Sequence, residues 1–225
     1  MKITILLRTK EEESLYRKVL LKIGSLQGEE LYICSGTLTN ISVDPSLFKS
    51  LKKGFSSVSD PKLVTLGMRE SSKCQKPLDC ECSFCKYKSL AMSLKRESLA
   101  SGYSYKALMD KDKKWHSKIA LKVRDGQVLA AIIGSSNLTI PAYGQKGESW
   151  IGKTKNFPYE CDVLIWDENR IGNVFESDPD IGLDFSETDL ITATPDDDIR
   201  PLLNHQLQKI KELISKNNYV FDILN

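Results

Sequence analysis

Apolar residues along this chain come in short runs, and the spacing within the runs switches between the periods of strands and helices. Residues 3–7, apolar except for Thr4, have the length of a strand. From residue 11 onward Leu15, Val19 and Ile23 recur every four positions, which marks one face of a helix over 11–23. Thr9 and Glu12 read as a capping box for that helix and Gly24 as its stop. The same reading predicts strands at 31–35 and 62–66, a helical piece around 45–53 and a helix over about 86–98. Further on come a strand at 162–166 and a C-terminal helix over about 199–216. Between these lie two apolar runs joined by Arg124-Asp125-Gly126-Gln127, and an Asp-Gly pair so flanked signals a hairpin. The second of them, 128–133, is apolar throughout, as befits a central strand covered on both faces. Strands alternating with helices, plus an antiparallel hairpin, predict an α/β fold with a mixed sheet flanked by helices. No internal repeat is visible, and residues 1–225 read as one domain with a cysteine-rich insertion at about 74–85.

The hairpin carries the chemistry. Its first strand opens with His116-Ser117-Lys118, and its second closes with Gly134-Ser135-Ser136-Asn137. Alternation along a strand puts His116 and Lys118 on one face, and Ser135 and Asn137 likewise if the strand persists. An imidazole, an ammonium, a hydroxyl and a carboxamide then gather at one end of the sheet. Glu148, in the long polar loop that follows, adds a carboxylate. Imidazole is a nucleophile near neutral pH, and a covalent intermediate divides one hard displacement into two easier ones. Lysine and amide donors offset the negative charge that grows on phosphoryl oxygens. A carboxylate bonded to the ring's second N–H fixes its tautomer. The set suits attack on a phosphodiester.

His116-x-Lys118, Gly134-Ser135-x-Asn137 and Glu148 together resemble the HKD motif of the phospholipase D superfamily. Within it they resemble the single-motif bacterial nucleases and metal-independent restriction endonucleases. The resemblance covers residues 115–148 and implies a phospholipase D-like single-motif domain with no catalytic cofactor. It assigns His116 as the residue that forms a phosphohistidine, Lys118, Ser135 and Asn137 as phosphate holders, and Glu148 as the residue orienting His116. The family's usual Asp seven residues after the His is Val123 here, with Asp125 two positions further on. That Asp is often missing in the nuclease branch, so its loss favours a nuclease over a lipase. The family's reaction needs two histidines. The chain's other histidine, His205, lacks the motif and sits in the helical pattern of Leu203, Leu207, Ile210, Leu213 and Ile214, as an ordinary surface or semi-buried residue would. A homodimer sharing one catalytic centre would supply a second His116.

The formal net charge of +2 hides two opposite blocks. Residues 86–124 hold eleven Lys or Arg against three acids, and residues 160–200 hold thirteen acids against two arginines. The basic block surrounds the motif, and Lys113, Lys114, Trp115, Lys122 and Arg124 are the candidate contacts to a nucleic acid, DNA rather than RNA. A solvated lysine-rich face gives the same pattern. The acidic block pairs with the basic one, turns DNA away from a wrong approach, or simply keeps the chain soluble. Lipid phosphodiesterase or phosphatidyl transferase activity is the alternative enzyme, and a catalytically silent nucleic-acid-binding subunit the alternative of another class. A partner subunit would supply any target recognition.

Four of the six cysteines, Cys74, Cys80, Cys82 and Cys85, fall within twelve residues. The spacing suits a structural zinc held by four thiolates, with a free-thiol loop and an iron–sulfur cluster as alternatives. Cys34 and Cys161 sit in apolar strand contexts and read as small core residues. Forty per cent hydrophobic and 28% charged residues is ordinary for a globular protein. No apolar run approaches the ~20 residues of a membrane span, and the first residues form no secretory signal, so a cytoplasmic location is expected.

Overall fold

A computed structural model describes residues 1–8, 14–38, 44–68, 80, 82–110, 116–144, 160–175, 190–193, 200–215 and 220–224. Its strands are β1 (Lys2–Arg8), β2 (Glu30–Ser35), β3 (Lys62–Met68), β4 (Ser104–Asp110), β5 (Lys118–Arg124), β6 (Gln127–Gly134), β7 (Glu160–Trp166), β8 (Leu190–Ala193) and β9 (Val220–Asp222). The helices are α1 (Leu15–Ser25), α2 (Pro45–Phe55), α3 (Ser83–Ser101), the single turns α4 (Ile140–Tyr143) and α5 (Glu168–Ile171), and α6 (Arg200–Ser215). All the described strands join one sheet in the order β8-β1-β7-β6-β5-β2-β3-β4-β9. β2, β3 and β4 run parallel, and the remaining pairs are antiparallel. The fold is therefore α/β with a mixed sheet, as the alternation of periods predicts.

Apolar side chains on opposite faces of the strands make two cores. Leu6, Ile33, Ala120, Ile132 and Leu164 pack with Val19, Leu20 and Ile23 of α1, Leu51 of α2 and Leu90 of α3. Tyr32, Cys34, Leu121, Ala131 and Ile165 pack with Leu203, Leu207 and Ile210 of α6. β6 contributes to both cores, which accounts for its unbroken apolar run. The hairpin turn has Asp125 and Gly126 at φ 55° and 71°, the pair of positive values a tight two-residue connection requires.

Some boundaries differ from expectation for identifiable reasons. α1 begins at Leu15 because Ser14 caps it, its side chain accepting the Arg17 N–H at 3.1 Å. The expected capping residues Thr9 and Glu12 lie outside the described residues. α1 also runs through Gly24, and α2 packs so closely against it there that a Cβ on Gly54 would sit 1.9 Å from the Gly24 carbonyl oxygen. α3 is longer than expected at both ends and stops at Gly102, whose φ of 74° is left-handed. Strands β4, β8 and β9 were not among the expected elements. Cys34 is buried as expected, but Cys161 is exposed. Its cross-strand partner Leu7 is 40% exposed, so this end of the sheet face is open to solvent. Among the described residues no helix is long and apolar enough to cross a membrane.

Lys122 corrects a sequence expectation. It was a candidate nucleic-acid contact, yet its side chain is fully buried, since its position on β5 points it inward at α2. Its Nζ lies 4.0 Å from the centre of the Phe55 ring and donates to the Gly54 carbonyl at 3.4 Å. Burial pushes its pKa down to about 7, against a weaker opposing pull from Glu29. The folded chain thus binds this proton less readily than the unfolded chain. The resulting penalty is full below about pH 7 and is relieved as the pH rises toward the ordinary lysine range. Lys122→Met is expected to stabilise the protein by a few kcal/mol (on the order of 1.4 per unit of pKa displacement) at pH 7. In urea melts the gain should shrink steadily toward pH 10.

Candidate active site

β5 and β6 bring the two motifs together by their register, with Lys118 opposite Gly134. Lys118 is the first residue of β5, and His116 lies two residues ahead of it on an exposed stretch. The Lys118 Nζ sits 3.0 Å from His116 Nδ1 and 3.5 Å from Nε2. An ammonium only donates, so it meets the ring nitrogen as an acceptor. Gly36, just past β2, makes room for the ring: a Cβ there would lie 3.2 Å from His116 Cδ2. Partial burial lowers the Lys118 pKa, and the negative charge of Glu160 pulls it back up.

The turn after β6 is fastened from three sides. The Ser136 N–H and Oγ–H both donate to the Asp162 carboxylate, at 3.1 and 2.5 Å. Asp162 is buried beneath the turn, and burial raises its pKa while the two Ser136 bonds oppose that shift. Gly134 has to be glycine, because a Cβ would meet Asp162 Oδ1 at 2.1 Å and the Cys161 carbonyl oxygen at 2.6 Å. Asn137 leaves the strand alignment altogether. Its amide oxygen accepts from Ser35 Oγ and the Thr37 N–H, both at 3.1 Å, which fixes the direction of its N–H₂ group. Beyond it, the Arg8 guanidinium binds the carbonyls of Pro141, Ala142 and Gly144. Ser14 Oγ donates to Ala142 as well, so α4 is tied to both β1 and the start of α1.

Ser135 Oγ donates to Glu160 and accepts the Cys161 N–H at 3.0 Å. Glu160 is thereby a carboxylate that meets the motif, and the sequence reading missed it. Its signal was its position at the head of the apolar strand β7, where register opposes it to Arg8. Glu148, the carboxylate expected here, lies outside the described residues, as do Lys113, Lys114, Trp115 and Cys74. His116, Lys118, Ser135 and Asn137 do gather at one end of the sheet. Arg124 does not join them. It sits at the turn end of the hairpin, roughly 20 Å away at about 3.3 Å per residue, donating to the Arg170 carbonyl at 3.1 Å. Asp125, in the turn, pairs with Arg170 at 2.7 Å and so has no part in the site. His205 is exposed on α6, whose core residues pack on the other face of the sheet from α1 and α2.

The geometry makes Asp162 and Gly134 the supports of the turn. Asp162→Ala should cost about 1–3 kcal/mol in urea unfolding, since two donors lose their acceptor. Gly134→Ala forces β6 and β7 apart and should cost about 3 kcal/mol. Wild-type stability in Gly134→Ala would show that the strands do not approach this closely.

No family model matches the chain, and neither does any curated protein. Among solved structures it is similar to Nuc from Salmonella typhimurium, a phospholipase D family member, at 18% identity and a TM-score of 0.39, over 77% of this chain and 89% of that one. It is also similar to NucT from Helicobacter pylori, at 12% identity and 0.41, over 77% and 91%. A third likeness is to phosphatidylserine synthase from Haemophilus influenzae, at 11% identity and 0.49, over 95% of this chain and 46% of that one. At such scores these likenesses add nothing to the chemistry of the site, which stands on the chain's own residues.

Proposed function

We propose that this chain is a phosphodiesterase of the phospholipase D type, acting on nucleic acid through a covalent histidine intermediate. The observation that carries the reading is the Lys118 ammonium 3.0 Å from an exposed His116 ring, at the end of the sheet where β5 and β6 also bring the Ser135-Ser136-Asn137 turn. A ring nitrogen of His116 attacks phosphorus, and the P–O bond to the leaving oxygen breaks. Lys118 and the Asn137 amide group stabilise the charge on the non-bridging oxygens without having to reorganise. Ser135, whose hydroxyl donates to Glu160, follows directly after β6 beside them. Water then attacks the phosphohistidine, the N–P bond breaks, and the ring is regenerated.

The leaving oxygen needs a proton, and His116 cannot supply it while bonded to phosphorus. His205, the chain's one other histidine, belongs to α6 on the far side of the sheet. A second copy related by a two-fold axis would bring its own His116 to the same phosphate, so the working form is a homodimer with one shared site. Glu160 is the carboxylate we assign to the site on the strength of its bond to Ser135 and its field at Lys118. Glu148, the carboxylate the family resemblance implies, lies outside the described residues. A nucleic acid is the favoured substrate because Lys88, Lys95 and Arg96 stand exposed along α3, a basic helix surface.

Cleavage of DNA or RNA in EDTA is the expected activity, reduced roughly 10³-fold or more by His116→Ala. Glu160→Gln should lower it far more than Glu148→Gln, and the reverse ranking would move the carboxylate role to Glu148. Failure of the wild-type chain to cut single- or double-stranded DNA or RNA would remove the nuclease reading. Light scattering should give the mass of a dimer; full activity in a monomer would remove the shared site.

A further inference from the structure

The connection from β3 to α3 is polar in sequence, RESSKCQKPLDCEC, with few apolar residues. Two of its thiols nevertheless converge with one from the first turn of α3 where it enters the helix. The sulfur atoms of Cys80, Cys82 and Cys85 all lie within 4.8 Å of one another, and each residue is only partly buried. Thiolates around a tetrahedral zinc stand about 3.8 Å apart, given Zn–S bonds of about 2.3 Å. A small inward adjustment would make this trio a binding face for such an ion.

We infer that Cys80, Cys82 and Cys85 form a zinc site that clamps this connection to the first turn of α3. Binding displaces one proton from each thiol to solvent, so three thiolates and one Zn²⁺ leave one net negative charge. The end of α3 is suited to that charge. Cys82 is the N-cap and its side chain makes no capping hydrogen bond, so the first-turn amides are not satisfied by it. The first turn holds no acidic residue to repel the cluster, and the positive end of the helix dipole faces it. One helical turn further on, the Tyr87 hydroxyl donates to the Thr65 and Leu108 carbonyls, both at 3.0 Å, anchoring α3 to β3 and β4. The metal would extend that anchorage outward to the loop. Cys74, the remaining thiol of the connection, lies outside the described residues.

The test uses the full chain, purified under reducing conditions, and reads metal rather than activity, so it stands apart from the nuclease assignment. Elemental analysis should find roughly one zinc per chain. Cys82→Ser with Cys85→Ser should lose it, and far-UV circular dichroism would check that the variant still folds. Cobalt added to the metal-free wild-type chain should give the intense visible bands and sulfur-to-cobalt charge transfer of tetrahedral thiolate ligation. Three results would overturn the inference: no uptake of zinc or cobalt, a mass two hydrogens short that marks a disulfide within the trio, or iron with sulfide in its place.

Discussion

The register between β5 and β6 is the constraint on which the rest of the molecule depends. A strand has a period of two, so a slip of one residue would turn Lys118 to the opposite face and drive the apolar set of both strands out of their cores. The register cannot drift, because β6 is buried on both faces and the Asp125-Gly126 turn closes the hairpin at a fixed length. Lys118 therefore stays opposite Gly134, and the ammonium stays within reach of the His116 ring. Chemistry at the end of the sheet is held in place by hydrocarbon packed along its middle.

Polar groups finish what the register begins. The carbonyls and amides of the turn after β6 and of α4 have no ladder to join, so side chains supply their partners. Asp162 reaches up to Ser136, Ser35 and Thr37 hold the Asn137 oxygen, and Arg8 gathers three carbonyls of the α4 turn. Asp44 caps α2 through the Ser46 N–H while pairing with Arg17 of α1 and accepting the Tyr143 hydroxyl at 2.6 Å. Each of these groups would be costly to bury alone and becomes acceptable only as part of a satisfied set. The outcome is a polar turn held by rigid elements on three sides, at the end of the sheet where His116 and Lys118 stand.

Charge along the sequence is a poor guide to charge on the surface, and the two lysines of β5 show why. Lys118 stands at the exposed end of the strand beside Glu160, whereas Lys122, four residues later on the same face, is covered by α2 and stacked on Phe55. Composition counts both as part of one basic block. Burial separates them: one is an electrostatic tool at the candidate site, and the other is a stability cost.

The periods of apolar residues were enough to determine the α/β class, the hairpin and its turn, the central place of β6, and the approach of His116 and Lys118 to Gly134-Ser135-Ser136-Asn137. All of these follow from local geometry, since a two-residue turn and strand alternation leave little freedom. Sequence alone did not reveal the course of α1 through Gly24, the burial of Lys122 or the arrival of Glu160 at Ser135. Each involves a contact between residues 25 or more positions apart in the chain: Gly24 with Gly54, Lys122 with Phe55, and Ser135 with Glu160. The resemblance pointed to Glu148, which lies outside the described residues, while Glu160 meets Ser135 through the strand that pairs with β6, and strand pairing is decided only when the sheet assembles.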